Sequence, residues 1–221
     1  MTVPFKEFFE KIANIFKIQE LKTRILYTIG LLAVYRLGSY VTLPGINSSR
    51  LSDMFNASQG EGILGMLDMF VGGAFSRGAI FALGIMPYIS ASIIVQLLGF
   101  AVPYFQRLQS KEGESGRKKI NQFTRLLTII ICVFQAPGYI LTSVDASARP
   151  DSFLWLTTSV IILTAGCLFV MWLGERITDK GIGNGISLLI MIGIIATLPR
   201  SFVGEIQGQL ANSGFFILLC S

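Results

Sequence analysis

Along this chain, apolar runs long enough to cross a bilayer alternate with short stretches rich in charge, glycine or proline, and the lengths of the runs define the elements. A transmembrane helix needs about 20 predominantly apolar residues. On that measure the pattern predicts five complete spans, at residues 25–43, 78–102, 126–144, 153–173 and 182–198. Apolar residues resume at 213–221 as the start of a sixth, so the sequence reads as part of a longer protein. Residues 1–20 differ in kind. Phe5, Phe8, Phe9, Ile12, Ile15 and Phe16 recur at helical spacing with Lys6, Glu7, Glu10, Lys11 and Lys17 mainly between them, the pattern of an amphipathic helix on a membrane surface. Its charges are interspersed and no small-residue cleavage site follows, so it is not a secretory signal peptide.

The stretch that organises the rest is 61–102. Residues 61–71 are apolar but too short to span, Gly72-Gly73 breaks them off, and the long second span follows. The predicted path dips into the membrane, stops, and then crosses. Lipid cannot hydrogen-bond a free N–H or C=O, so irregular backbone at that depth must be buried in protein or line a wet cavity. Within the second span Ile85 and Ile89 are one helical turn apart, with Pro87 between them removing a backbone donor. A β-branched pair on a kinked helix makes a stiff, dry constriction; the same spacing also suits residues facing lipid or a neighbouring helix.

Composition agrees with membrane residence: 52% of the 221 residues are hydrophobic and 14% charged, with a mean hydropathy of +0.64. There is no histidine, which removes the commonest general base and metal ligand. Cys132, Cys167 and Cys220 lie in apolar runs without metal or redox spacing. The net charge of +5 is distributed as a topology signal, not as a nucleic-acid surface. Lys6, Lys11, Lys17, Lys22 and Arg24, then Arg107, Lys111, Arg117, Lys118, Lys119 and Arg125, then Arg176 and Lys180 fall on one side; Arg50, Arg77, Arg149 and Arg200 fall on the other. The positive-inside rule makes the first side cytoplasmic, with the most basic loop at 106–122, and brings the half-inserted piece in from outside. Arg36, in the last third of the first span, is expected either to snorkel or to face a wet interior.

Several long stretches resemble one family. Residues 80–96 (IFALGIMPYISASIIVQ) and 172–187 (WLGERITDKGIGNGIS), with 44–47 (PGIN), 70–74 (FVGGA) and 111–117 (KEGESGR), are similar to the N-terminal half of SecY, the central subunit of the bacterial protein-conducting channel. The resemblance covers nearly the whole chain. It implies an all-α integral membrane bundle, the first half of a ten-span channel whose two inverted halves enclose an hourglass pore. It makes 61–71 the plug, with Gly62, Leu64, Leu67, Asp68 and Phe70 in its body and Gly72 and Gly73 as a flexible tether. It makes Ile85 and Ile89, joined by Ile186 and Ile190 of the fifth span, members of the pore ring. The second and third spans would form one side of a lateral gate. Implied partners are the membrane subunits SecE and SecG, the ATPase SecA or a translating ribosome, unfolded preproteins with their signal sequences, and lipid. No cofactor and no nucleic acid beyond the ribosome are implied, and the location is the cytoplasmic membrane of a bacterium with the N-terminus inside. Asp68 departs from the family, whose plug often has a neutral polar residue there.

Two other classes fit less well. An intramembrane enzyme needs paired aspartates, a nucleophile dyad or a metal site within spans, whereas Asp53, Asp68, Asp145, Asp151 and Asp179 lie in loops or span ends. A secondary transporter half would share the broken helix but would place a strongly polar solute site at the membrane midplane, where the second span offers Ile85, Met86 and Ile89. Glycines 181, 183 and 185 at the start of the fifth span point to close approach of another backbone; a nucleotide loop is the weaker alternative because no strand precedes them.

Overall fold

The computed structural model describes residues 18–49, 51–52, 63–110, 113–144, 150 and 152–211. The amphipathic helix expected over 1–20 lies outside them up to residue 17, as do Gly62, Lys111 and the beginning of a sixth span at 213–221. Seven helices organise the described chain: α1 Gln19–Gly38, α2 Ile63–Phe70, α3 Met86–Ala101, α4 Pro103–Ser110, α5 Gly113–Ser143, α6 Phe153–Lys180 and α7 Gly185–Ala211. Among the described residues the sole β pairing is an isolated antiparallel bridge between Thr42 and Ala79. The fold is an all-α bundle in which α3 packs on α5, α5 on α6, α6 on α7, and α1 on α6 and α7.

Hydropathy locates a helix in the bilayer but not its ends. Helix α5 begins at Gly113, so most of the basic stretch expected as a loop over 106–122 is helical, divided between α4 and α5. The charged run 174–180, expected as a loop, is the last two turns of α6. Both corrections have one cause: arginine, lysine and glutamate are good helix formers, and a helix continues past the lipid once its backbone bonds are in place. Pro199 does not end the fifth span; α7 runs through it. The Thr197 hydroxyl donates to the Ile194 carbonyl at 2.9 Å, one residue before Ile195, whose carbonyl is the one that loses its helical donor at Pro199.

The second span is corrected in the other direction. Residues 79–86 are consecutive tight turns closed by bonds from Ala82 N to Ala79 O, Gly84 N to Phe81 O and Met86 N to Leu83 O. Gly84, at φ +52°, interrupts the helical path. Pro87 sits in the first turn of α3, where a missing N–H costs nothing, so it opens this helix instead of kinking it. Ala79, Phe81, Ala82, Leu83 and Ile85 are all buried. The non-helical part of the span is therefore surrounded by protein, as an apolar solvent requires.

Helices α5 and α6 are long and apolar enough to cross a membrane, with mean hydropathies of 1.6 and 2.1, and only 33% and 28% of their most apolar stretches are buried. The core helix of a soluble protein would be mostly buried. Here Leu126, Phe134, Leu141, Phe153, Leu154 and Ile161 stand exposed, an apolar outer face suited to hydrocarbon. Buried residues form one cluster around Leu43, Leu83, Ile140 and Leu163, and a second around Tyr35, Phe81, Ile85, Leu173 and Leu189. The second cluster carries the site.

Candidate functional site

The site lies where α2, α3 and α7 converge beside the end of α1. Helix α2 has eight residues, about 12 Å at 1.5 Å per residue, less than half of an apolar bilayer core. Its end is built by hydrogen bonds. Gly72 N bonds to Met69 O at 3.1 Å and Gly73 N to Asp68 O at 2.9 Å, the pair of reversed bonds that closes a Schellman motif. The motif needs a left-handed residue, and Gly72 has φ +70°. The two glycines expected as a flexible tether are, in this conformation, an ordered helix stop. Asp68 belongs to the same device, since its Oδ1 accepts the Ser76 N–H at 2.9 Å and ties the chain that leaves the stop back onto α2.

An apolar cavity of about 250 Å3 opens beside this stop, lined by Tyr35, Phe70, Val71, Ile85, Met86, Ile89, Leu189 and Ile190. Only Tyr35 among these brings a polar side-chain group. Ile85 and Ile89 sit side by side because the Ile89 N–H donates to the Ile85 carbonyl at 3.0 Å, making the first turn of α3. Ile190 faces them from α7. The structure thus brings three of the four sequence-predicted isoleucines to one cavity and adds Phe70 and Val71 from the end of α2. Ile186 does not line it; half-buried one turn earlier on α7, it belongs to the same apolar cluster. Tyr35, Val71, Met86 and Leu189 were not singled out by the sequence, although Leu189 adjoins Ile190 and Met86 adjoins Ile85.

Helix α7 is positioned from its first turn. The Asn184 side chain caps it, accepting from Ile186 N at 3.0 Å, and the Thr178 hydroxyl accepts from Gly185 N at 2.9 Å. A Cβ on Gly185 would overlap the Gly174 carbonyl, so the close backbone approach expected at this glycine-rich start is present, with α6 as the neighbour. Thr28 of α1 accepts from Ile182 N at 3.2 Å, and Arg125 of α5 forms a two-point pair with Glu175 of α6 at 2.9 and 2.5 Å. These contacts gather Arg24, Arg125, Arg176 and Lys180 at one end of the bundle. Arg107, Arg117, Lys118 and Lys119 are exposed on α4 and the start of α5. Helix α2 meets the opposite end of α1, where Arg36, half-buried, has protein partners: its Nη1 donates to the Gly72 carbonyl at 2.9 Å and its Nη2 to the Tyr40 hydroxyl at 2.9 Å. Among the described residues no cluster of three His, Cys, Asp or Glu side chains has the makings of a metal site.

The class defined by this arrangement is a multi-span α-helical membrane protein with a short capped helix set against an apolar cavity. A family model described as SecY matches residues 79–221. The protein translocase subunit SecY of Buchnera aphidicola subsp. Schizaphis graminum (strain Sg) is 47% identical over 206 residues, covering 90% of this chain and 46% of that protein. Two solved channels share the fold. Sec61 in the canine ribosome–channel complex from the endoplasmic reticulum superposes with a TM-score of 0.55 at 21% identity, covering 79% of this chain and 36% of that one. A SecY structure described by the role of its plug domain in stabilising the closed translocation channel and its membrane seal gives 0.52 at 23% identity over the same shares. The chain belongs to the SecY family. It spans a little under half the length of the curated relative it matches.

Proposed function

We propose that this chain supplies one half of a channel that passes unfolded secretory proteins across the cytoplasmic membrane of a bacterium and releases membrane segments sideways into lipid. One observation carries the reading: an apolar cavity lined by Ile85, Ile89 and Ile190 together with Phe70, the last residue of a helix of only eight residues, and Val71 next to it. A neck of branched aliphatic side chains resists wetting, so an ion entering it must shed water, whereas an extended polypeptide passes without any group binding its sequence. In this reading Ile85, Ile89, Ile186 and Ile190 belong to the pore ring. Residues 61–71, including Gly62, Leu64, Leu67, Asp68 and Phe70, form the plug, and Gly72 and Gly73 terminate it. The transporter alternative gains no support, because a solute site needs convergent polar groups and this cavity has a single tyrosine.

The basic end of the bundle, with Arg107, Arg117, Lys118 and Lys119, faces the cytoplasm in this proposal, as do Lys111 of the same basic stretch in sequence and the N-terminus. Transport through a passive pore requires energy from a partner. The similarity in fold to a channel solved on a ribosome supports a translating ribosome in that role; the SecA ATPase, which the resemblance implies, is the other source of energy in this reading. SecE and SecG would complete the membrane assembly.

A photoreactive residue at position 85 of the full-length protein, with a secretory precursor stalled midway, tests the proposal. The expected product is a crosslink to the precursor that is lost when the precursor is released. Crosslinking to lipid alone would remove Ile85 from the translocation path.

A further inference from the structure

We propose that Arg36 is a positioning residue that latches α2 in its seated position, working with Gly193 on α7; the inference rests on the channel reading above. The argument starts from cost. A guanidinium stays charged at any accessible pH, and within a span it persists only with partners. Arg36 has three: the Gly72 carbonyl at 2.9 Å, the Tyr40 hydroxyl at 2.9 Å, and the Tyr40 ring, whose centroid is 4.9 Å from the guanidinium carbon. Tyr40 is one turn away in sequence, so its bond can persist wherever α2 goes. The Gly72 carbonyl is the exception, 36 residues distant in sequence and carried by the helix stop itself.

The other side of that stop is held by shape. A Cβ on Gly193 would overlap the Phe70 carbonyl and come to 3.4 Å from Gly72 N, and a Cβ on Gly72 would come to 3.3 Å from the Gly193 Cα. The stop therefore lies between a charged donor on α1 and a bare strip of backbone on α7. Phe70 and Val71, which line the cavity, immediately precede Gly72. Arg77 lies over the same Tyr40 ring at 4.7 Å, so one tyrosine braces both guanidiniums beside the two glycines. A hydrogen bond with an ionised donor is roughly twice as strong as a neutral one. It is made when α2 is seated and lost when α2 leaves, so it shifts the balance between the two states and does more than stabilise the fold.

The test uses the full-length protein with its membrane partners in planar bilayers, reading conductance with no precursor present. Arg36→Gln is expected to raise the idle open fraction about tenfold, equivalent to about 1.4 kcal/mol. Gly193→Ala, which leaves every charge in place, should raise it too, and Arg36→Lys, which keeps the cation but not the fork, should raise it less than Arg36→Gln. Each rise should vanish when residues 61–70 are deleted, because there is then nothing to latch. If Arg36→Gln fails to assemble, Arg36→Lys and Gly193→Ala carry the test. A silent response to these variants alongside leakage from Ile85→Gly overturns the latch and leaves the channel reading standing. Equal rises with and without residues 61–70 also overturn it, since Arg36 would then act on the channel wall. Bilayers that stay sealed both with Ile85→Gly and with residues 61–70 deleted would sink the channel reading and the latch together.

Discussion

At the scale of single residues, the glycines separate into those that hold helices together and those that do not. Gly185 has no room for a side chain: an added Cβ would overlap the Gly174 carbonyl and come to 2.7 Å from the Ile177 Cβ. Close backbone approach of this kind is how helices associate where lipid is as apolar as leucine. Gly185→Ala should therefore push α6 from α7 and cost about 1–3 kcal/mol, as overpacking does. Gly30 lies in the interior of α1, and a methyl group added there would meet nothing within 4 Å. Gly30→Ala is expected to stabilise by about 0.5–1 kcal/mol, the helix-propensity difference. Thermal unfolding of the two variants in detergent checks both signs, and similar effects at the two positions would refute the packing argument. The same scale explains what the sequence concealed. Ile85 and Ile89 were legible because their separation is a fixed helical distance, whereas the partner of Arg36 is a backbone carbonyl on a remote glycine, and no side-chain pattern marks a carbonyl.

At the scale of elements, α5, α6 and α7 run past the apolar stretches 126–144, 153–173 and 182–198 that they contain in whole or large part, because a bilayer sets where residues must be apolar and the backbone sets where a helix stops. Pro87 and Pro199 illustrate the difference. Both are prolines in apolar runs, yet one opens α3 and the other is carried inside α7. What distinguishes them is context: Gly84 at φ +52° ends the turns before the first, whereas helical backbone continues on both sides of the second. The pairing of α5 with α6 through Arg125 and Glu175 was equally hidden, since the two lie 50 residues apart. Its side chains are 51% and 19% exposed, so solvent screens the attraction despite the two-point geometry. A double-mutant cycle with Arg125→Ala and Glu175→Ala should give a coupling of up to about 1 kcal/mol. Arg125→Lys should lose most of it, because an ammonium cannot match both carboxylate oxygens. A coupling several times larger would mean the pair is shielded from water.

At the scale of the whole molecule, the distribution of apolar surface separates a membrane bundle from a soluble one. On α5, Phe134 is 80% and Leu141 57% exposed, whereas Ala136 and Ile140 are fully buried. One face of the helix thus turns to the protein and the other to whatever surrounds it. If that surrounding is hydrocarbon, spin labels at 134 and 141 in bilayer-reconstituted full-length protein should relax strongly with dissolved oxygen and weakly with a water-soluble nickel chelate. Labels at 136 should respond to neither. Strong relaxation by the chelate at 134 would place that face in water and contradict the bundle's orientation in lipid. The pattern matters for the proposed channel because the apolar cavity and this apolar outer face make opposite demands on similar side chains. Outside, exposed leucine and phenylalanine hold the bundle in lipid. Inside, Ile85, Ile89 and Ile190 line a small apolar cavity beside Phe70, and the end of the short helix that carries Phe70 meets one charge on α1 and one bare backbone position on α7.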